Sequence, residues 1–283
     1  MSLLRPLPWL LLASLACEAG AAPSPPSSSP PAKVATPVAA PAPAPTPAPV
    51  KPGRYRQAAG VDYLELIHVA PGTPKDQAPT AESTLPLIVA MHGRGDDPDG
   101  FKDLLDGLPV HARVIVPRAF DPLGEDGFSW FPIRARSGDV AALASGIDSA
   151  NDRVANMIGE LLKTRPTRGR AIVTGFSQGG MLSFALAVDH PDLIAAAVPV
   201  GGYLPPPLQP ATLPAGPLPP IEALHGEADP VVPFAPTREA VDALIKQGWP
   251  ARLHGFPDVA HQIPPQVRRA LYSELQRAVE ALP

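Results

Sequence analysis

The sequence predicts an α/β protein with a mostly parallel central sheet that is covered by helices on both faces. Short apolar or β-branched runs alternate with stretches of helical periodicity from residue 61 onwards. One run, LPLIVAM at 85–91, is apolar without alternation, as expected of a parallel strand buried on both faces. At 171–180 a β-branched run enters a Gly-x-Ser-x-Gly pattern, which an apolar helical pattern follows.

The predicted elements follow one another in the order that builds such a sheet. In 151–163, for example, Val154, Ile158 and Leu161 share one helical face. Strands are predicted at 61–70, 85–91, 110–116, 170–175, 193–200, 221–225 and 251–256, and helices at 151–163, 181–188, 236–247 and 265–282. Ligands of parallel sheets bind beyond the carboxyl ends of the strands, so we expect the site in the loops that follow them.

Residues 1–21 are predicted to be a signal peptide, because the apolar run 7–16 is too short to span a bilayer. Cys17 ends this run and is a candidate for lipidation, which would give a membrane tether. Ser14 stands where bacterial lipoproteins usually have an aliphatic residue, and ordinary cleavage after Ala21 is the alternative. Either route predicts export, to the periplasm, to the cell envelope or out of the cell.

Residues 22–53 are predicted to be a disordered Pro/Ala-rich spacer, and residues 54–283 a single α/β domain. The chain has 42 prolines, and the repeated Ala-Pro of this spacer excludes a helix or a central strand. The formal net charge of −4, without a basic cluster, argues against a nucleic-acid partner. Cys17 is the only cysteine, so we expect neither a disulfide nor a cysteine nucleophile in the domain.

Ser177 is the candidate nucleophile, since it lies between a predicted strand and a predicted helix. A sharp turn there would hold the hydroxyl above the sheet, and Gly175 and Gly179 lack the Cβ atoms that would clash in that turn. The alternative is a purely structural turn, because glycine and serine are common.

A serine nucleophile needs a base, and in this strand–serine–helix arrangement the acid and then the histidine follow the serine in the chain. Of the seven histidines, His254 and His261 satisfy that order. His254 lies inside a predicted strand and is interpreted as a packed or edge side chain. His261 lies in the loop before the last helix and is the candidate base.

Asp229 is the candidate acid, because it follows the apolar strand at 221–225 and a loop carboxylate there can reach the histidine loop. Glu227, in the same loop, is the rival. Asp258 lies three residues from His261 and is interpreted as a turn former.

The oxyanion of such a reaction needs two preorganised N–H donors. The backbone N–H groups of Gln178, directly after the serine, and of Arg94, in the loop after 85–91, are the candidates. His92 in that loop is interpreted as a structural residue that holds the loop by a hydrogen bond. The acidic run 96–100 does not have the spacing of a calcium loop and is interpreted as a helix N-cap.

Taken together, these segments resemble the phospholipase/carboxylesterase family of α/β-hydrolases, which includes carboxylesterases, lysophospholipases and acyl-protein thioesterases. The blocks that carry the resemblance are MHGRGDD (91–97), FSWF (128–131), GFSQGG (175–180), HGEADPVVP (225–233) and DVAHQIP (258–264). The resemblance implies an α/β-hydrolase fold with Ser177, Asp229 and His261 as the catalytic triad. It also implies Arg94 and Gln178 as the oxyanion donors.

The same resemblance implies that Trp130 forms a wall of the acyl site. Phe131, Tyr203 and Val231 are further predicted substrate contacts, and the Pro-rich segment 203–220 is expected to rim the site. Arg94 departs from the family, which often has an apolar residue there, and would either favour acidic or polar substrates or point to solvent.

The predicted function is hydrolysis of carboxylic esters through an acyl-enzyme, without a metal or a cofactor. The expected substrate is a small-molecule or lipid ester. The alternatives are a lysophospholipase, a thioesterase or an amide or acyl-transfer variant on the same triad, and a non-catalytic surface binding module.

Overall fold

The computed structural model describes residues 54–283, so the predictions for the signal peptide, the spacer and Cys17 lie outside the described residues. The strands are β1 (Arg56–Ala58), β2 (Val61–His68), β3 (Leu85–Met91), β4 (Ala112–Pro117), β5 (Asp121–Leu123), β6 (Gly127–Ser129), β7 (Thr167–Phe176), β8 (Ile194–Val200), β9 (Ile221–Gly226) and β10 (Ala251–Phe256). The helices are α1 (Pro98–Phe101), α2 (Val140–Thr164), α3 (Gln178–Asp189), α4 (Phe234–Gln247) and α5 (Pro265–Glu280).

Eight of these strands form one sheet in the order β1-β2-β4-β3-β7-β8-β9-β10, and β5 and β6 form a separate hairpin. Strand β2 is antiparallel to β1 and β4, and the remaining neighbours in the sheet are parallel. The prediction of a mostly parallel sheet is therefore confirmed.

The sheet is buried on both faces, as strand β3 shows. Its alternate residues Leu87, Val89 and Met91 pack into one core with side chains of α2, α3 and α4. Ile88 and Ala90 belong to a second core with side chains of α1 and α5. Because successive side chains of a strand point to opposite faces, a strand covered on both sides needs an unbroken apolar run.

The structure extends the predicted helix at 151–163 most, and it adds the short strand β1 and a hairpin. Helix α2 begins at Val140 rather than at 151, and the Asp139 side chain caps it by accepting a hydrogen bond from the Ala142 N–H at 2.9 Å. The early turns contain Ser145 and Gly146, which have low helix propensity, although Leu143 and Ile147, four residues apart, share the buried face of the helix. The hairpin of β5 and β6 has strands of three residues, which are too short to show a periodic pattern.

The acidic run at 96–100 caps a helix, as the sequence indicates. The Asp97 side chain accepts a hydrogen bond from the Gly100 N–H at 2.7 Å, at the start of α1. Among the described residues, no helix combines the length and the apolar character that a membrane crossing requires.

Candidate active site

Ser177 lies on a sharp turn between β7 and α3. Its backbone has φ 57° and ψ −113°, a conformation that residues with a side chain rarely adopt. A Cβ atom at Gly175 would lie 2.5 Å from the Gly179 carbonyl oxygen, and one at Gly179 would overlap the carbonyl group of Met91 in β3. The two glycines therefore let the turn close against the sheet, with the serine at its apex.

Three side chains from different loops form one hydrogen-bonded chain at the carboxyl ends of the strands. His261 Nδ1 lies 2.6 Å from Asp229 Oδ2, and His261 Nε2 lies 2.9 Å from Ser177 Oγ. Because an ionised carboxylate only accepts hydrogen bonds, Nδ1 carries the proton and Nε2 accepts the bond from the serine hydroxyl. The ring of Phe176 packs against the imidazole with 4.6 Å between centroids.

The surroundings of Asp229 keep its carboxyl group ionised. Burial alone would raise its pKa, but hydrogen bonds from His225, from His261 and from the N–H groups of Val232 and Val231 outweigh burial and hold the pKa well below its usual range. The two backbone bonds, to Oδ1, measure 2.8 and 2.9 Å. Asp229 therefore carries a negative charge next to the imidazole.

The two alternative acids, Glu227 and Asp258, are not buried beside the histidine as Asp229 is. Glu227 and Asp258 are exposed, whereas Asp229 is 8% exposed and bonded to the histidine. His254, inside β10, bonds to Glu222 at 2.8 Å and takes no part in the chain that ends at Ser177.

His225 also belongs to the site, although its place before the acid in the chain argues against a role as the base. Its Nε2 lies 3.4 Å from Asp229 Oδ2 and 2.9 Å from the carbonyl oxygen of Val232, and its Nδ1 lies 2.9 Å from Thr237 Oγ1. This buried histidine thus positions both the acid and its loop. The sequence feature that could have indicated this role is a histidine at the end of a predicted strand, four residues before the candidate acid.

The candidate oxyanion donors meet at the same place. Arg94 and Gln178 line one cavity with Ser177 and His261. Within residues 54–283, neither backbone N–H donates a hydrogen bond to another protein group. Gln178 is the first residue of α3, where helical N–H groups have no partner inside the helix.

The side chain of Gln178 binds the loop that carries the FSWF block. Its Oε1 accepts hydrogen bonds from the Trp130 N–H at 3.0 Å and from the Ser129 hydroxyl at 3.2 Å, and its Nε2 donates to the carbonyl oxygen of Phe131 at 2.8 Å. These bonds fix the aromatic loop to the serine turn.

Three of the predicted substrate contacts lie behind the cavity wall rather than on it. Trp130 is buried and its Nε1 donates to the carbonyl oxygen of His92 at 2.8 Å, so the indole supports the loop that carries Arg94. Phe131 and Tyr203 are buried in the core shared with α2 and α3. Because Tyr203 points inward, the start of the Pro-rich segment also packs on the core. Val231 does line the cavity and is 48% exposed.

His92 has the structural role that the sequence indicates. It is fully buried, its Nδ1 lies 2.8 Å from the carbonyl oxygen of Gly93, and its Nε2 accepts a bond from the Ala119 N–H at 3.2 Å. Burial lowers its pKa, so the ring stays neutral, and it ties the loop that carries Arg94 to the chain after β4.

The cavity above Ser177 has a volume of about 420 Å³. Its wall includes Ile133, Arg134 and Arg136, from a segment between β6 and α2 that the sequence did not single out. Apolar Met181 and Val232 complete the surface near the serine. The site therefore combines an apolar surface with a group of arginines.

Among the described residues, one group of side chains has the spacing of metal ligands, and it lies outside this cavity. It consists of Glu222, His254 and Glu274. Arg277 Nη1 lies 2.5 Å from both carboxylate oxygens of Glu274, so this carboxylate already has a cationic partner.

Comparison with known proteins identifies relatives of the chain. The profile described as Phospholipase/Carboxylesterase matches residues 77–278. Acyl-protein thioesterase 1 of Mycosarcoma maydis is 29% identical over 219 residues, covering 68% of this chain and 90% of that protein. Lysophospholipase-like protein 1 of Mus musculus is 28% identical over 202 residues, covering 66% and 83%.

NocK of Nocardia uniformis subsp. tsuyamanensis is named as an esterase. It is 31% identical to this chain over 179 residues, which cover 62% of the chain. The match spans 48% of NocK, about half of that protein. Among solved structures, esterase PE8 has a TM-score of 0.64 at 24% identity, covering 77% of this chain and 99% of its own. Zea mays acyl-protein thioesterase 2 has a TM-score of 0.57 at 23% identity, covering 77% and 98%. These likenesses confirm the α/β-hydrolase fold.

Proposed function

The chain belongs to the phospholipase/carboxylesterase family, and on this premise we propose that it hydrolyses carboxylic esters through an acyl-enzyme formed on Ser177. The observation that carries the proposal is the hydrogen-bonded chain from Ser177 Oγ through His261 to Asp229. A hydroxyl, an imidazole and a buried carboxylate in this order can produce a serine nucleophile at neutral pH.

In the first half of the reaction, Ser177 Oγ attacks the acyl carbon while His261 Nε2 takes up the hydroxyl proton. The tetrahedral intermediate then breaks its bond to the alcohol oxygen, which receives that proton from His261 and leaves. In the second half, water attacks the acyl-enzyme with His261 as base, and the acid departs as Ser177 recovers its proton. Asp229 accepts the hydrogen bond from His261 Nδ1–H throughout, and its negative charge stabilises the imidazolium.

The negative oxygen of each tetrahedral intermediate is bound by the backbone N–H groups of Arg94 and Gln178. Both groups are free of protein acceptors in the described chain, and both lie at the cavity that Ser177 lines. Donors fixed by a helix terminus and by a loop tied down through His92 need little reorganisation during the reaction. Removing one such donor typically costs about 10²–10³-fold in kcat.

The proposal is tested by replacing the nucleophile and the base. Ser177→Ala and His261→Ala each lower kcat for p-nitrophenyl butyrate by about 10⁴–10⁶-fold, because the three groups act as a unit. A fluorophosphonate probe labels the parent protein at Ser177 and leaves Ser177→Ala unlabelled.

Ser149→Ala is the matched control, since Ser149 is exposed on α2 and lies outside the cavity. It should keep both hydrolysis and labelling. Near-normal turnover by His261→Ala would assign the base to another group.

Thioester hydrolysis is the second candidate, because a relative that is 29% identical over most of its length is named an acyl-protein thioesterase. The same triad serves both leaving groups. The kcat/KM ratio for matched oxygen and sulfur esters of one acyl chain separates the two functions, and a series of acyl lengths together with lysophospholipids covers the remaining alternatives.

The proposal extends to the location of the enzyme, which we infer to be outside the cytoplasm. The apolar run 7–16, the single cysteine directly after it and the Pro/Ala-rich spacer at 22–53 support export, with a lipid on Cys17 as an anchor.

A further inference from the structure

Positively charged residues are gathered around the cavity above Ser177, although the whole chain has a formal net charge of −4. Arg94, Arg134 and Arg136 all line it, and no Asp or Glu is among its lining residues. The carboxylate of Asp229 lies behind His261, and its negative charge faces the imidazole. The residues that line this cavity therefore include three arginines and no carboxylate.

Two of these arginines lack protein partners in the described part of the chain. The side chains of Arg94 and Arg134 make neither a hydrogen bond nor an ion pair with residues 54–283. The Nε of Arg94 is buried and has no acceptor. Because a buried donor without an acceptor is costly, the Arg94 side chain would gain by turning towards an acceptor that a ligand supplies.

The third arginine fixes the segment from which Arg134 projects. Arg136 donates a hydrogen bond to the carbonyl oxygen of Pro230, next to the loop of Asp229. This bond holds residues 133–136 along the edge of the cavity. Arg136 thus has a structural partner, whereas Arg94 and Arg134 remain available to a ligand.

We propose that the ester substrate carries an anionic group, a carboxylate or a phosphate, that Arg94 and Arg134 bind while Ser177 attacks the ester. Arginine forms paired hydrogen bonds with the oxygens of both groups. Ile133, Met181 and Val231 line the same cavity, so an apolar portion joins the ester to the anion. This inference rests on the proposed function, because it names the substrate class of that site.

The test compares esters that differ in one charge. Phenyl pentanoate and phenyl hydrogen glutarate share a leaving group, and in the second a carboxylate replaces the terminal methyl of the acyl chain. A second pair places the charge on the alcohol side: the para-ethylphenyl ester of butyrate is neutral, and the para-(carboxymethyl)phenyl ester carries a carboxylate. The para-(phosphonomethyl)phenyl ester of butyrate replaces that carboxylate by a phosphate-like group. The readout is the ratio of kcat/KM between the charged and the neutral ester of each pair.

We expect a ratio of about ten or more for at least one pair, since a hydrogen bond to a charged group contributes a factor of about ten or more. Arg94→Gln and Arg134→Gln should each lower that ratio by about tenfold. Raising the salt concentration should also lower it, because screening weakens attraction between charges.

Arg269→Gln is the matched control, because it removes the same charge from an exposed position on α5 outside the cavity. It should leave the ratio unchanged. A ratio near one for every pair overturns the inference, while hydrolysis of the neutral esters by Ser177 would still support the proposed function.

Two further outcomes also overturn the inference. If Arg94→Gln slows charged and neutral esters equally, the guanidinium acts on the oxyanion rather than on a substrate anion. If the parent protein hydrolyses none of the esters, the proposed function fails and the inference fails with it.

Discussion

At the scale of single residues, the candidate site depends on groups held in unusual states by their neighbours. Ser177 has a positive φ of 57° at the turn between β7 and α3. Asp229 keeps its charge although it is 8% exposed, because hydrogen bonds surround it. Backbone strain at the nucleophile and a depressed carboxyl pKa are both common at functional sites.

The assignment of the acid gives a prediction. Asp229→Asn should lower kcat by about 10³–10⁴-fold, because the imidazolium that forms during the reaction loses its neighbouring negative charge. Steady-state kinetics with p-nitrophenyl butyrate measure the effect. Glu227→Gln is the control, since Glu227 is an exposed carboxylate in the same loop. A loss in Glu227→Gln comparable to that in Asp229→Asn would contradict the assignment.

At the scale of elements, acidic residues meet where α3 ends beside α2. Asp189, the last residue of α3, accepts a hydrogen bond from Asn151 Nδ2 at 2.9 Å. Burial, followed by repulsion from Asp148 and Asp152 on α2, raises its pKa to about 6. The folded state therefore binds this proton more strongly than the unfolded chain. The resulting stability is present below the ordinary carboxyl pKa and is lost as the pH rises through about 6.

Relief of this repulsion is a second prediction. Asp148→Asn should raise Tm by about 1–2 °C near pH 7.5, where Asp189 is ionised, and by less near pH 4, where Asp189 is protonated. Calorimetry at both pH values measures the difference. Asp242→Asn removes an exposed charge from α4 and serves as the control. An equal gain at both pH values would show that the repulsion at Asp189 is not the cause.

The sequence predicted those elements best whose burial is visible in their own residues. The predicted bounds of 85–91 and 251–256 coincide with β3 and β10, and the unbroken apolar run of β3 reflects a strand covered on both faces. The beginning of α2 was missed because Ser145 and Gly146 disfavour a helix there. The hairpin of β5 and β6 was missed because strands of three residues are too short to show a periodic pattern.

At the scale of the whole molecule, parallel strands bring the carboxyl-end loops of β3, β7, β9 and β10 to one edge of the sheet. This arrangement places Ser177, Asp229 and His261 within hydrogen-bond distance although they are far apart in the chain. Arg94, in the loop after β3, and Arg134, in the segment between β6 and α2, line the same cavity.

The predicted signal peptide at 1–21 and the lipidation candidate Cys17 give a prediction at this scale. Expressed with its own N-terminus in a bacterium that processes lipoproteins, the mature protein should begin at Cys17 and carry a lipid, as mass spectrometry of the N-terminal peptide would show. Cys17→Ser should abolish that form. Mature protein that begins after Ala21 would favour ordinary secretion, and an N-terminus that retains residues 1–21 would contradict export.

The sequence by itself determined the strand–serine–helix turn, the parallel sheet and the chain order of Ser177, Asp229 and His261, because each leaves a local pattern of glycines, apolar runs or motif spacing. Only the tertiary structure decided which residues form the cavity wall. It buried the side chains of Trp130, Phe131 and Tyr203 in the core and placed His225 next to Asp229. It also brought Arg134 and Arg136 to the cavity that Ser177 lines. The physical reason is that the direction of a loop side chain depends on contacts with distant residues, as Gln178 shows by fixing the aromatic loop through three hydrogen bonds.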